Sequence, residues 1–175
     1  RGKFRLRDAT GIESAGEVFY KRPDKSLLKF ATPRGQVYAL NGKKLFIYLP
    51  ALSVVAEQSL DVDSAMPFTG SRSALAGLIQ NYNFSFDESD DASRTRTAYA
   101  MLLQPNRAGL PFSKIAIRVR HDGLLVSARA TQKTGKTLEW SVFDISENTD
   151  LPDSIFTFSA PIDANIIRNP FATAR

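Results

Sequence analysis

Between Lys114 and Arg120 the apolar side chains Ile115, Ile117 and Val119 alternate with the charged Lys114, Arg118 and Arg120. Successive side chains of an extended strand point to opposite faces, so this stretch has one apolar and one charged face and reads as a half-buried strand. Leu124, Val126, Ala128 and Ala130 repeat the scheme after a turn at His121-Asp122-Gly123, and Leu138, Trp140 and Val142 follow a second turn at Thr134-Gly135-Lys136. Turn residues at that spacing join neighbouring strands in antiparallel hairpins. Upstream, Phe4 and Leu6, Val18 to Tyr20, Leu28 and Phe30, Val37 to Leu40, Leu45 to Leu49 and Val54 to Leu60 give the first half of the same pattern. The alternation breaks at Ser71 to Gln80, where Leu75, Leu78 and Ile79 fall at helical spacing behind a serine cap. One short amphipathic helix is predicted there, which in an unfamiliar chain reads as a crossover packed on an ordinary core. Glu88 to Arg96 is polar and charge-rich and reads as a hairpin turn or a mobile loop. The fold class is α+β and mostly β.

A chain of 175 residues, 43% hydrophobic, is long enough for one domain with its own core, so residues 1–175 read as a single domain. Cysteine is absent, which excludes disulfides and thiol chemistry. No apolar run nears the roughly 20 residues of a membrane-spanning helix, and no signal peptide is seen. The abrupt opening RGKFRLRD reads as strand, so further residues are expected upstream.

The net charge of +5 comes from lysines and arginines spread over several strands and turns. They show no zinc-knuckle spacing, helix-turn-helix pattern or aromatic RNA-binding strand, so no nucleic-acid partner is expected. The charges read as a solvated sheet face, with attraction to an anionic membrane surface or an acidic partner as the functional alternative. Enzyme chemistry is poorly served. The single histidine, His121, sits in a turn, and there is no nucleophile elbow, phosphate-cradling loop or histidine pair for a metal. Asp87, Glu88, Asp90 and Asp91 lack the spacing of a calcium loop and read as solubilising charges. No catalytic residue, metal or cofactor is assigned.

From Ala15 to Pro50 the chain reads AGEVFYKRPDKSLLKFATPRGQVYALNGKKLFIYLP. Its Ala15-Gly16 start, Phe19, the Lys21-Arg22-Pro23 corner, Pro33, the Asn41-Gly42-Lys43 turn and the Phe46, Tyr48, Pro50 strand resemble, without a gap, the LolA-like family of periplasmic outer-membrane lipoprotein carriers. Tyr99 to Pro105, Phe112 to Gly123 and Ile155 to Pro161, which ends F-x-F-x-x-P, continue the resemblance in order. The resemblance implies an incomplete, half antiparallel β-barrel with a helical lid over a hydrophobic cavity. It also implies that a signal peptide and an amphipathic helix precede the residues seen here. Such a shape fits the cargo physically. Burial of acyl chains is worth about 0.8 kcal/mol per CH₂, so three long chains left in water would cost on the order of 35 kcal/mol.

The implied function is a monomeric periplasmic carrier of acylated lipoproteins. It would receive them from an inner-membrane lipoprotein-releasing ABC transporter and pass them to a possible outer-membrane acceptor. A LolB-like outer-membrane receptor, or a periplasmic lipid or lipoprotein sensor of the same fold, is the alternative. Candidate cavity residues are Phe19, Leu28, Phe30, Phe46, Tyr48, Met101, Ile117, Val119, Val126, Trp140, Phe156 and Phe158, with Leu75, Leu78 and Ile79 from the helix; each also has a plain reading as core. Arg22 is implied to be a latch, pointing inward and binding lid backbone groups until acyl chains enter; its plain reading is a surface residue at a strand end. Ser26 departs from the pattern, standing where some carriers have a large apolar cavity residue.

Overall fold

A computed structural model describes residues 1–60, 80–91, 97–147 and 150–171. Twelve strands are seen among the described residues: β1 Gly2–Arg7, β2 Glu13–Lys21, β3 Lys25–Thr32, β4 Val37–Asn41, β5 Lys44–Leu49, β6 Val54–Ser59, β7 Tyr82–Phe86, β8 Tyr99–Pro105, β9 Phe112–Val119, β10 Leu125–Gln132, β11 Thr137–Phe143 and β12 Asn165–Arg168. They fall into two compact units, one of Arg1–Gly2, Ala15–Gly77 and Ile145–Arg175, the other of Lys3–Ser14 and Leu78–Asp144.

In the first unit the strand order is β12-β6-β5-β4-β3-β2. The ladders from β2 to β6 are antiparallel, while β12 runs parallel to β6. The Asn41-Gly42-Lys43 turn works as its sequence suggests: Asn41 Oδ1 accepts hydrogen bonds from the amides of Lys43 (3.0 Å) and Lys44 (2.9 Å), and Gly42 takes φ 89°. Cross-strand register sorts the side chains into two faces. Phe19, Leu27, Ala39 and Phe46 lie opposite one another in a row, with Val37, Tyr48 and Val55 on the same face. Val18, Leu28, Tyr38 and Ile47 occupy the other face, with Phe30 against Tyr38 at 4.8 Å between ring centroids.

The second unit has the order β1-β11-β10-β9-β8-β7, antiparallel throughout. Both turns read from the sequence close as hairpins. Arg120 N–H donates to the Leu124 carbonyl (2.8 Å) and Gln132 N–H to that of Lys136 (2.8 Å), with Gly123 and Gly135 at φ 88° and 84°. One face is apolar across the whole sheet. Its core is Tyr82, Leu103, Ile115 and Ala130, with Leu103 and Ile115 fully buried. The opposite face carries Arg5, Arg7, Arg118, Arg129 and Glu139 with Ser127 and Ser141. In both units the strand order is linear, so neither set of strands closes on itself.

Most predicted strands are where the alternation puts them. The helix expected at Ser71 to Gln80, and with it Leu75, Ile79 and Leu78, lies outside the described residues apart from Gln80. The Ile155 to Pro161 match is not a strand. It begins in a 3₁₀ turn, Asp153–Phe156, entered from Pro152, which has no N–H to give to a ladder.

Candidate ligand-binding faces

In the first unit, the segment after β11 lies on the Phe19–Phe46 face. Phe156, 1% exposed, forms a buried cluster with Leu27 and Ala39, and Phe19, Val37, Phe46, Leu151, Ile155 and Phe158 pack around it. The Phe158 ring is 5.6 Å from Phe46 and 6.0 Å from Tyr48. Five of the sequence candidates, Phe19, Phe46, Tyr48, Phe156 and Phe158, therefore meet on one side of the sheet. Leu28 and Phe30 belong to the other side and do not join them.

At one end of this face, Lys21 and Lys25 converge on Asp153, each ammonium 2.7 Å from a carboxylate oxygen, and Lys21 also donates to the Leu151 carbonyl at 2.9 Å. Hydrogen bonds from Lys21 and then Lys25 hold the Asp153 carboxyl at about 2, below its ordinary 3.8. A depressed folded-state pKa stabilises the fold above the unfolded value, and this contribution is lost as pH falls from about 4 through about 2. We expect a carboxyl titration by NMR to place the Asp153 midpoint near 2, and Lys21→Met to move it toward 3.8; an unshifted midpoint would disprove the pairing.

Arg22 is exposed in the turn between β2 and β3, where the Tyr20 hydroxyl donates to the Pro23 carbonyl at 3.2 Å. No side-chain hydrogen bond of Arg22 is seen among the described residues, and a guanidinium in water has its donors satisfied by solvent.

In the second unit, Met101, Ile117 and Trp140 fall in one cross-strand row, completed by Ala128, Leu6 and Phe86. All but the exposed Phe86 are half-buried, in contrast to the sealed Leu103 and Ile115 of the next row. Val119 is on the same face, opposite Tyr99, whose ring meets that of His121 edge-on at 4.6 Å. Val126 sits at the register shift between Leu125 and Ser127. A concavity of about 370 Å³ lies on the charged face, lined by Arg5, Arg7, Ser127, Arg129, Glu139 and Ser141 among others. The acidic loop has structural work: Asp90 takes a bidentate bond from Arg118 (Nη2 to Oδ2 2.8 Å), raising the arginine's pKa, and Asp87 accepts from the Ser89 amide and hydroxyl.

Sequence reasoning missed Leu27, Leu6 and the Lys21–Asp153–Lys25 group. Leu6 was legible by alternation; Leu27 stands beside Leu28, so a run of two leucines hides which one faces the core.

The profile of the family described as "Outer membrane lipoprotein carrier protein LolA" matches residues 5–159. The chain belongs to the LolA family. Its LolA-family relatives include the outer-membrane lipoprotein carrier protein of Chromohalobacter salexigens, 27% identical over 160 residues that cover 89% of this chain and 71% of the relative. That of Alkalilimnicola ehrlichii is 25% identical, covering 89% and 68%. Among solved structures, an uncharacterized conserved protein from Thermus thermophilus superposes with TM-score 0.57 at 12% identity, over 95% of this chain and 90% of that one, which is a likeness of fold. The LolA match runs from β1 through the Phe156–Phe158 segment and so takes in both apolar faces.

Proposed function

We propose that this LolA-family protein is a monomeric, single-domain periplasmic carrier that shields the acyl chains of lipoproteins on their way from the inner to the outer membrane. It accepts them from an inner-membrane ABC transporter and yields them to an outer-membrane acceptor. The observation that carries this reading is the half-buried apolar row Leu6–Trp140–Ala128–Ile117–Met101 of the second unit, in a chain matched along most of its length by a lipoprotein-carrier family. A row of this kind offers apolar area that is neither sealed in a core nor spread as loose surface, which is what a flexible hydrocarbon chain needs. Val119, Val126 and the Phe19, Phe46, Tyr48, Phe156 and Phe158 group of the first unit complete the acyl-contacting set. Leu75, Leu78 and Ile79 contribute from the lid, while Leu28 and Phe30 lie on the opposite face of the first unit's sheet, away from the Phe19 group. Transfer runs down a ladder of affinities, with no reaction catalysed by this chain.

Arg22 is the latch in this proposal. From the exposed β2–β3 turn it reaches for lid carbonyls, and entering acyl chains break those bonds. Titration with a long-chain fluorescent fatty acid tests both parts. Saturable binding is expected, and Arg22→Leu should shift its Kd by about tenfold, or ~1.4 kcal/mol. An unchanged Kd would remove the latch, and a lack of saturable binding would remove the carrier.

A further inference from the structure

Leu151–Phe158 is fastened to the first unit differently from the strands beneath it. Its apolar hold is firm, through the buried Phe156 and through Phe158 against Phe46 and Tyr48. Its backbone bonds are local, Ile155 N–H to the Pro152 carbonyl and Thr157 N–H to that of Ser154, both 3.2 Å, and it belongs to no ladder of the sheet. Among the described residues its polar fastening is the group in which Lys21 and Lys25 grip Asp153 at the surface and Lys21 grips the part-buried Leu151 carbonyl. Among the described residues, lifting the segment breaks side-chain packing and that ionic group, and leaves every strand pairing intact.

Segments held in this way open well below the free energy of global unfolding. Lifted into water, however, this one would bare a contiguous apolar face, an aggregation hazard. An incoming hydrocarbon chain removes the difficulty, because it replaces the phenylalanine surface with equivalent apolar surface and leaves the net burial almost unchanged. We infer that Leu151–Phe158 is a displaceable strap: it covers the Phe19–Leu27–Phe46 face in the empty protein, pinned by Lys21 and Lys25 through Asp153, and is pushed aside by an acyl chain of the ligand. Phe156 and Phe158 then line the binding face from its movable side. The inference rests on the carrier reading and adds to it the element that keeps the empty site dry.

Two measurements test it on the intact chain. Hydrogen exchange is followed with and without a triacylated lipopeptide: at saturation the amides of Ile155 and Thr157 are expected to lose protection while those of β3 and β4 keep it. Asp153→Asn, which weakens the pin without touching the apolar face, should tighten lipopeptide binding by about threefold or more, because a larger fraction of molecules is already open. A saturated complex in which Ile155 and Thr157 keep their protection overturns the strap and leaves the carrier standing. Failure to form any complex overturns both.

Discussion

Ile117→Glu is expected to weaken acyl binding by about a hundredfold, ~2.7 kcal/mol, or more. Ile117 lies between Met101 and Ala128 in the half-buried row, so a carboxylate there must either enter the hydrocarbon environment of a bound acyl chain or force the chain off that stretch of sheet. An ionised carboxylate taken out of water without a partner costs several kcal/mol. The position is suited to the experiment because the side chain is only half-buried; the same change at Ile115, which is fully buried, would test folding instead. Ser127→Glu provides the control. Ser127 pairs with Ser141 and Arg118 on the charged face, where another carboxylate meets arginines and water, and acyl binding is expected to be unchanged. Thermal melts of both variants separate lost binding from lost fold. Equal binding by the two would place the acyl chains away from this row.

Gly16→Ala carries the largest expected effect on stability. A Cβ built on Gly16 would lie 2.0 Å from the Lys29 carbonyl oxygen and 2.9 Å from both the Lys29 carbonyl carbon and the Phe30 Cα. All three are backbone atoms of β3, and the β2–β3 ladder shifts register at this point, between Ala15 and Gly16. No rotamer change relieves that clash, so the two strands must separate. Overpacking costs about 1–3 kcal/mol where side chains can yield; with backbone on both sides we expect about 3 kcal/mol or more, a fall in Tm of roughly 6–12 °C for a chain of this size. Gly42→Ala supplies a scale. There the new Cβ meets only the end of the Asp24 side chain at 2.9 Å, which can turn aside, and the cost is mainly the left-handed φ of 89°, about 1 kcal/mol. Equal melting temperatures for the two variants would refute the close approach at Gly16.

Much of the sheet was legible because the second half of the chain alternates cleanly and its turns carry glycine where positive φ is needed. Ile115, Ile117 and Val119 name their own face, and Trp140 and Met101 join it through the register. The first half is harder to read. Val18-Phe19-Tyr20 and Leu27-Leu28 are apolar at consecutive positions, so parity is not fixed by the sequence, and Phe30, three residues on from the Leu27 that pairs with Phe19, falls on the opposite face. A one-residue shift in parity moves a side chain to the opposite face, which is why the candidate set joined Leu28 and Phe30 to residues across the sheet. β7 had a visible signal in Tyr82, Phe84 and Phe86 that went unread, whereas the four residues of β12 are too few for any periodicity. The Asp153 group was illegible for another reason: its lysines and its carboxylate come from segments more than a hundred residues apart, and only the folded chain brings them together.

The most direct measurement is made without detergent: the purified protein is mixed with a triacylated lipoprotein and, separately, with its unacylated form, and each mixture is sized and weighed in solution. A soluble one-to-one complex with the acylated form alone is the predicted result. An acylated lipoprotein that stays insoluble, or a complex that forms equally well without acyl chains, would contradict an acyl-chain carrier.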